Sequence, residues 1–132
     1  MNKEIYKIAD VGTIKEFSHG DEFLNIIADK QIEIATYHDS DCCEQVYGDF
    51  SILKYHLESL KDKKVKNIVI KSVDDMGFLI VFEGGDQEDV KIFIPCYNFQ
   101  NGYYSSNLSL TVKVDEVKTE IDISGCVEDH ID

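Results

Sequence analysis

Arginine is absent from this 132-residue chain, and all 13 of its basic side chains are lysines. Phosphate and nucleic-acid sites are normally built from arginine forks on a basic face. Here 26 Asp and Glu face 13 Lys, for a net charge of −13 at pH 7. That balance argues against direct nucleic-acid binding. It favours a solvated, self-repelling surface whose partners are basic. Long apolar runs are absent too, and none approaches the roughly 18 residues of a membrane-spanning helix. Met1 to Asp10 alternates charged and apolar residues without a secretory core, so no signal peptide is expected and the chain is read as cytoplasmic. Proline occurs once, beside seven Tyr and seven Phe, which excludes a disordered composition. With 43% hydrophobic residues the chain has material for one packed core, and residues 1–132 are read as a single domain. Four cysteines in an intracellular chain point to buried thiols or metal ligands rather than a disulfide framework.

Charge is unevenly placed. Residues 1–37 carry −3, residues 38–50 carry −4, residues 51–73 carry +4 and residues 74–132 carry −10. One lysine-bearing segment therefore sits in an otherwise acidic molecule, and the −10 segment supplies the expected acidic face. The lysines from Lys54 to Lys71 read as a helix flank and turn. No linker or internal repeat divides the chain.

The pattern reads mostly as strand. Gln31 to Thr36 alternates polar and apolar residues, and with Phe23 to Ala28 before it and Asp29-Lys30 as the turn it predicts a hairpin. Phe50, Leu53, Leu57 and Leu60 then recur at helical spacing, with Lys54, Glu58 and Lys61 off that face and Asp49 or Ser51 as the cap. Further strands are expected at Asn67–Val73, Gly77–Glu83, Val90–Ile94 and Leu108–Val114, with a last one at Glu120–Ser124. Pro95 is expected to end its strand or to sit at an edge. The predicted fold class is α+β: a mostly antiparallel sheet with one main helix packed on a face.

Chemistry concentrates in Tyr37-His38-Asp39-Ser40-Asp41-Cys42-Cys43-Glu44. Zinc in a structural role takes thiolate, imidazole and, less often, carboxylate in a closed tetrahedron. His38 and Cys42 are four apart, so one loop can wrap a metal, and Cys43 joins them only if the backbone kinks. Asp41, Glu44, Cys96 or Cys126 remain open as the fourth ligand. Against this stands a loop with one buried thiol, since adjacent cysteines are not a standard zinc spacing. A thiolate–imidazolium pair of Cys42 or Cys43 with His38 or His56 is a second option, but crowding carboxylates raise a thiol pKa. His19, His56 and His130 read as surface or core-edge residues. The stretch Tyr97 to Ser106 holds the turn signal Asn101-Gly102 among aromatics, either a recognition loop or a hairpin whose rings cover the sheet end. Glu128 to Asp132 reads as a solvated end.

Tyr37-His38-x-x-Asp41-Cys42-Cys43-Glu44-x-Val46-Tyr47, with Asn101-Gly102-Tyr103-Tyr104-Ser105 further on, resembles a group of small phage- and prophage-associated proteins. They share a Y-H-x-x-D-C-C-E-x-V core and a later S-N-G-Y-Y-S segment. The likeness covers roughly residues 20–115. Where that family often has an arginine–tryptophan pair before the second segment, this chain has Ile94-Pro95-Cys96-Tyr97. The resemblance implies a sheet-rich domain with His38, Asp41, Cys42 and Cys43 gathered in one place on a structural zinc. It also implies a role in phage–host conflict inside a bacterial cell. By class analogy, small acidic proteins of mobile elements include anti-CRISPR inhibitors of Cas9. The expectation is then a non-enzymatic inhibitor, with no catalytic residues, that docks on a basic region of a host defence nuclease and blocks nucleic-acid loading. Two alternatives stand beside it: a small metal-dependent or thiol enzyme centred on His38, Cys42 and Cys43, and a small-ligand module walled by Tyr97 to Tyr104.

Overall fold

A strand with one face in a core must bury every second residue, and in Gln31–Tyr37 (β4) Ile32 and Ile34 are fully buried while Gln31 and Glu33 are exposed. The same alternation recurs along the chain. The computed structural model describes residues 2–37, 45–84, 88–100, 108–126 and 128–131, and they fold into two sheets. The first runs β1 (Asn2–Thr13), β6 (Lys64–Val73), β7 (Gly77–Glu83), β8 (Val90–Gln100) and β11 (Glu128–Ile131), with β5 (Gln45–Gly48) also on β8. The second runs β10 (Val117–Asp122), β9 (Ser109–Val114), β4, β3 (Phe23–Ile27) and β2 (Glu16–His19). Pairing is antiparallel except between β8 and β11, which are parallel.

Both sheets contribute to one buried cluster. Ile68, Ile70, Phe78, Ile80, Phe82, Ile92, Ile94 and Cys96 come from the first sheet, and Leu24, Ile26, Ile32, Ile34, Leu110 and Val112 from the second. The chain passes from β1 to β2 through Ile14, which is itself fully buried. The tip of the β3–β4 hairpin is tied back to β1 by Asp29 N–H donating to the Val11 carbonyl at 3.0 Å. The architecture is therefore two packed sheets around one core.

The main helix expected between Asp49 and Leu60 does not form, so the α+β class is corrected to a β-rich fold. The segment is a 3-10 turn, Ser51–Tyr55, followed by a single α-turn, Leu57–Leu60 (α1). Phe50, Leu53 and Leu60 do enter the core as their spacing suggested. The backbone around them is pinned at both ends, however. Asp49 N–H donates to the Pro95 carbonyl and Phe50 N–H to the Asp21 carbonyl, at 2.8 and 2.9 Å. At the far end Asp62 N–H donates to the Ile14 carbonyl and Ile14 N–H to the Lys63 carbonyl, at 3.1 and 3.0 Å. Ile52, Tyr55 and His56 are weak helix formers, and Asp62 closes the segment at φ +60°. Between such anchors, tight turns that bury three apolar side chains are cheaper than a nucleated helix.

Pro95 does not end its strand. β8 continues to Gln100, and Gly77 stands opposite Pro95 in the register. The Pro95 carbonyl accepts from Asp49, on the side of β8 away from β7. The missing N–H of Pro95 points the same way, so β8 keeps its ladder to β7 intact. Gly77 (φ +155°) admits no side chain here, because a Cβ would lie 2.1 Å from the Ile94 carbonyl oxygen. Glu128–Ile131 forms a strand, parallel to β8.

Candidate functional site

Strand β5 is where the two sheets meet the chemistry-rich segment. It is only four residues long and is held from both sides. On one side it pairs with β8, Tyr47 opposite Tyr97 and Gly48 opposite Cys96. On the other, Gly48 N–H donates to Thr36 Oγ1 of β4 at 3.1 Å. A Cβ on Gly48 would stand 2.8 Å from Thr36 Cγ2, so this close approach requires glycine. Val46 is buried beside it.

The strand ends that flank the two motif segments lie on neighbouring strands. Tyr37, which precedes residues 38–44, is paired with Ser109 of β9, and Gln45, which follows them, is paired with Phe99 of β8. Residues 101–107 leave Gln100, next to Phe99, and return at Leu108, next to Ser109. The described residues that flank the two segments are therefore the same two pairs of strand ends. His130 stands opposite Phe99 in the register, on the other side of β8 from Gln45.

His38, Asp41, Cys42, Cys43 and Glu44 lie outside the described residues, as do Tyr103 and Tyr104. Of the proposed fourth ligands, Cys96 is described. It is fully buried in the core, its Sγ 3.9 Å from the Ile94 carbonyl oxygen. Cys126 closes the 3-10 turn Ser124–Cys126. His19 Nδ1 sits 3.1 Å from the Gly20 carbonyl oxygen, a local turn contact, and His56 is half-buried beside the Ser51–Tyr55 turn. Among the described residues no group of three or more His, Cys, Asp and Glu is arranged to hold a metal ion.

What the described part of the site does show is an acidic, aromatic corner. The Tyr47 and Tyr97 rings lie 5.9 Å apart, tilted by 56°. Burial, then the Asp49 carboxylate, Tyr97 and Glu22, hold the Tyr47 phenol above its ordinary range. Asp49 is fixed by an Asx turn, its Oδ1 accepting from Ser51 N–H at 3.0 Å and Ser51 Oγ–H at 2.6 Å. Asp21 and Glu22 are exposed next to it, their carbonyls bonded to Phe50 N–H and Thr36 N–H. Sequence reasoning passed over Tyr47 and Asp49 as site residues. The signals were present in the Val46-Tyr47 end of the motif and in the Asp49-x-Ser51 turn.

No family model, curated protein or solved structure matches this chain. No helix among the described residues is long and apolar enough to cross a membrane.

Proposed function

We propose that the protein is a non-enzymatic binding protein that docks acidic surface onto a basic region of a partner protein. The observation that supports this most directly is the Tyr47 corner, where the half-buried Asp49 and the exposed Glu22 carboxylates stand close enough to a tyrosine to act, after burial, on its ionisation. The corner lies where residues 38–44, themselves at −3, rejoin the sheet. Across the described residues the carboxylates are mostly unpaired with lysine: the ion pair between them is Lys118–Glu120 at 3.5 Å, and both its partners are exposed. Such a surface steers encounters with a basic partner and adds little to the chain's own stability.

The partner this reading names is a host defence nuclease of Cas9 type, which holds guide and target in a positively charged channel. Docking there blocks nucleic-acid loading without chemistry. The protein itself contacts neither nucleic acid nor membrane. A structural zinc on His38, Asp41, Cys42 and Cys43 belongs to the same reading, as the staple of the docking loop. The test is co-elution with the guide-free nuclease, followed by a DNA-cleavage assay. Binding is expected at about 0.1 M salt and lost towards 1 M, as the screening length falls from about 10 to about 3 Å. Binding that persists unchanged at high salt removes the electrostatic mechanism, and no co-elution at low salt removes the partner.

A further inference from the structure

We propose that strand β10 is a self-complementary edge through which two copies of this chain pair antiparallel, about a two-fold axis at Thr119, and join their second sheets into one.

β10 ends that sheet and pairs, among the described strands, with β9 alone. Open edges are ordinarily blunted by bulges or by brevity. β1 is interrupted by two register shifts, and β2 has four residues. β10 has neither protection. It keeps one register with β9 from Val117–Val114 to Asp122–Ser109 and contains no proline. The parity of its backbone is fixed just past its end, where Ile123 N–H donates to the Leu108 carbonyl at 2.9 Å. Odd-numbered residues therefore bond towards β9, while Lys118 and Glu120 direct their N–H and C=O groups outward. Two donors and two acceptors in this arrangement are what an added strand needs.

Charge selects both the occupant and the register. The side chains beside the outward groups are Lys118 and Glu120, both well exposed, with Nζ and Oε1 3.5 Å apart. A lysine on an edge deters most incoming strands, and Lys118 already stands opposite a like charge, Lys113 of β9. A second copy turned about Thr119 brings its Glu120 opposite Lys118 and its Lys118 opposite Glu120. Both pairs then exchange backbone hydrogen bonds, and Thr119 meets Thr119 between them. An axis at Lys118 or Glu120 instead sets like charges face to face, and an axis at Ile121 sets Glu120 opposite Asp122. In the Thr119 register Asp122 lies at the margin, opposite the turn residue Glu116, with its carboxylate already held by Ser124.

The other face agrees. Val117, Thr119 and Ile121 lie on the side of the sheet where the β9 residues Leu110 and Val112 are fully buried. Val117 is nonetheless 68% exposed. In the Thr119 register it stands opposite the second copy's Ile121, a residue packed at the border of the core. Pairing thus extends the apolar face of both sheets and covers both valines. Each copy carries −13, but at about 0.15 M salt a screening length of about 8 Å confines that repulsion to charges near the contact, where the Lys–Glu pairs stand. A contact one strand wide falls short of the roughly 1,200 Å² of tight complexes, so pairing is expected at about 0.1 mM and above. The edge shares no residue with the Tyr47 corner and does not rest on the docking reading above.

The test is analytical ultracentrifugation of the whole chain from about 0.01 to about 1 mM at about 0.15 M salt. A concentration-dependent shift from monomer to dimer is expected, with amide exchange at Lys118 and Glu120 slowed in the dimer. Lys118→Glu and Glu120→Lys each set like charges at both contacts and are each expected to weaken self-association at least about tenfold. Both side chains are exposed, so the melting temperature at low protein concentration is expected to stay unchanged. Mixed in equal amounts, the two variants are expected to pair with each other, since every contact is again Glu against Lys. The double variant Lys118→Glu, Glu120→Lys is expected to self-associate as the original chain does. The proposal is overturned if the chain stays monomeric throughout, or if either single variant self-associates undiminished. It is equally overturned if the mixture or the double variant fails to recover association. Exchange at Lys118 and Glu120 that is equally fast at both ends of the concentration range overturns it without any variant.

Discussion

Tyr47 and Tyr97 face each other across the β5–β8 pair, ring centroids 5.9 Å apart, and burial first, then Asp49, Tyr97 and Glu22, raise the pKa of the Tyr47 phenol. The folded protein therefore binds that phenolic proton more tightly than the unfolded chain does. The stability this confers is complete below the unfolded tyrosine pKa near 10 and is lost as pH rises through the higher folded value. Titration of tyrosinate absorbance is expected to show one late-ionising tyrosine, removed by Tyr47→Phe. Asp49→Asn is expected to bring the ionisation of Tyr47 back towards the ordinary value. A late component that survives Tyr47→Phe would assign it to another ring.

The Ser124 hydroxyl donates to Asp122 Oδ1 at 2.5 Å and accepts from Leu108 N–H at 3.0 Å, and Ser124 N–H also donates to Asp122. These two donors, the hydroxyl first, hold the Asp122 carboxyl below its usual range. The contribution to stability is present above the unfolded carboxyl pKa and is lost as pH falls through the lower folded value. Ser124→Ala is expected to raise the Asp122 pKa in a carboxyl NMR titration and to loosen the start of β9 at Leu108, read as faster amide exchange there. An unmoved Asp122 titration would show that the hydroxyl is not its partner in solution.

The turns between Asp49 and Lys63 act as a plug rather than a surface helix. Phe50→Ala is expected to cost about 3–5 kcal/mol in urea denaturation, because a fully buried ring is removed from between the sheets. Ile52→Ala, two residues on and 36% exposed, is expected to cost clearly less, about 1 kcal/mol. Equal effects of the two substitutions would contradict this placement.

How much of this was legible in the sequence depended on regular alternation. Gln31–Tyr37 and Leu108–Val114 announced themselves because their period-2 pattern is unbroken. β1 did not, because register shifts between Glu4 and Tyr6 and between Ala9 and Gly12 move its side chains from one face to the other. β5 and β11 are four residues each, too short for a period to emerge, and β11 is chiefly polar. The 50–60 segment misled because spacings of three and four satisfy an amphipathic helix and a pinned pair of turns equally. What separates them is the hydrogen bonding of Asp49, Phe50, Asp62 and Ile14 to distant strands, which no local pattern encodes. The candidate ligands were legible as residue types. They lie outside the described residues; what the register fixes, at Tyr37–Ser109 and Gln45–Phe99, is where the flanking strands stand, and pairing of that kind is invisible in one dimension.

The proposed zinc on His38, Asp41, Cys42 and Cys43 makes its own prediction. His38→Ala and Cys42→Ser are each expected to lower the melting temperature and to reduce zinc content by elemental analysis, since metal affinity for the folded state is folding energy. An unchanged melting temperature on chelation, in protein shown to be untagged, would remove the staple.

Asp75 occupies the left-handed region at φ +60° in the β6–β7 turn, while its N–H donates to the Gly125 carbonyl at 3.0 Å. Asp75→Gly keeps that bond and relieves the backbone, and is expected to raise stability by about 1 kcal/mol. Asp75→Ala keeps the conformational penalty and gives no such gain. The pair of melting curves distinguishes backbone relief from mere loss of a charge.

Asp10, Asp62, Asp75 and Asp115 share this conformation. At Asp62, Asp75 and Asp115 a turn of the chain, and at Asp10 the register shift of β1, reside in the same side chains as part of the negative charge. Asparagine and glycine are the substitutes such geometry accepts most readily, and each costs one unit of charge. Sequence drift at these positions is thereby coupled to the isoelectric point: a descendant that keeps the backbone conformation while exchanging these aspartates becomes less acidic with every step.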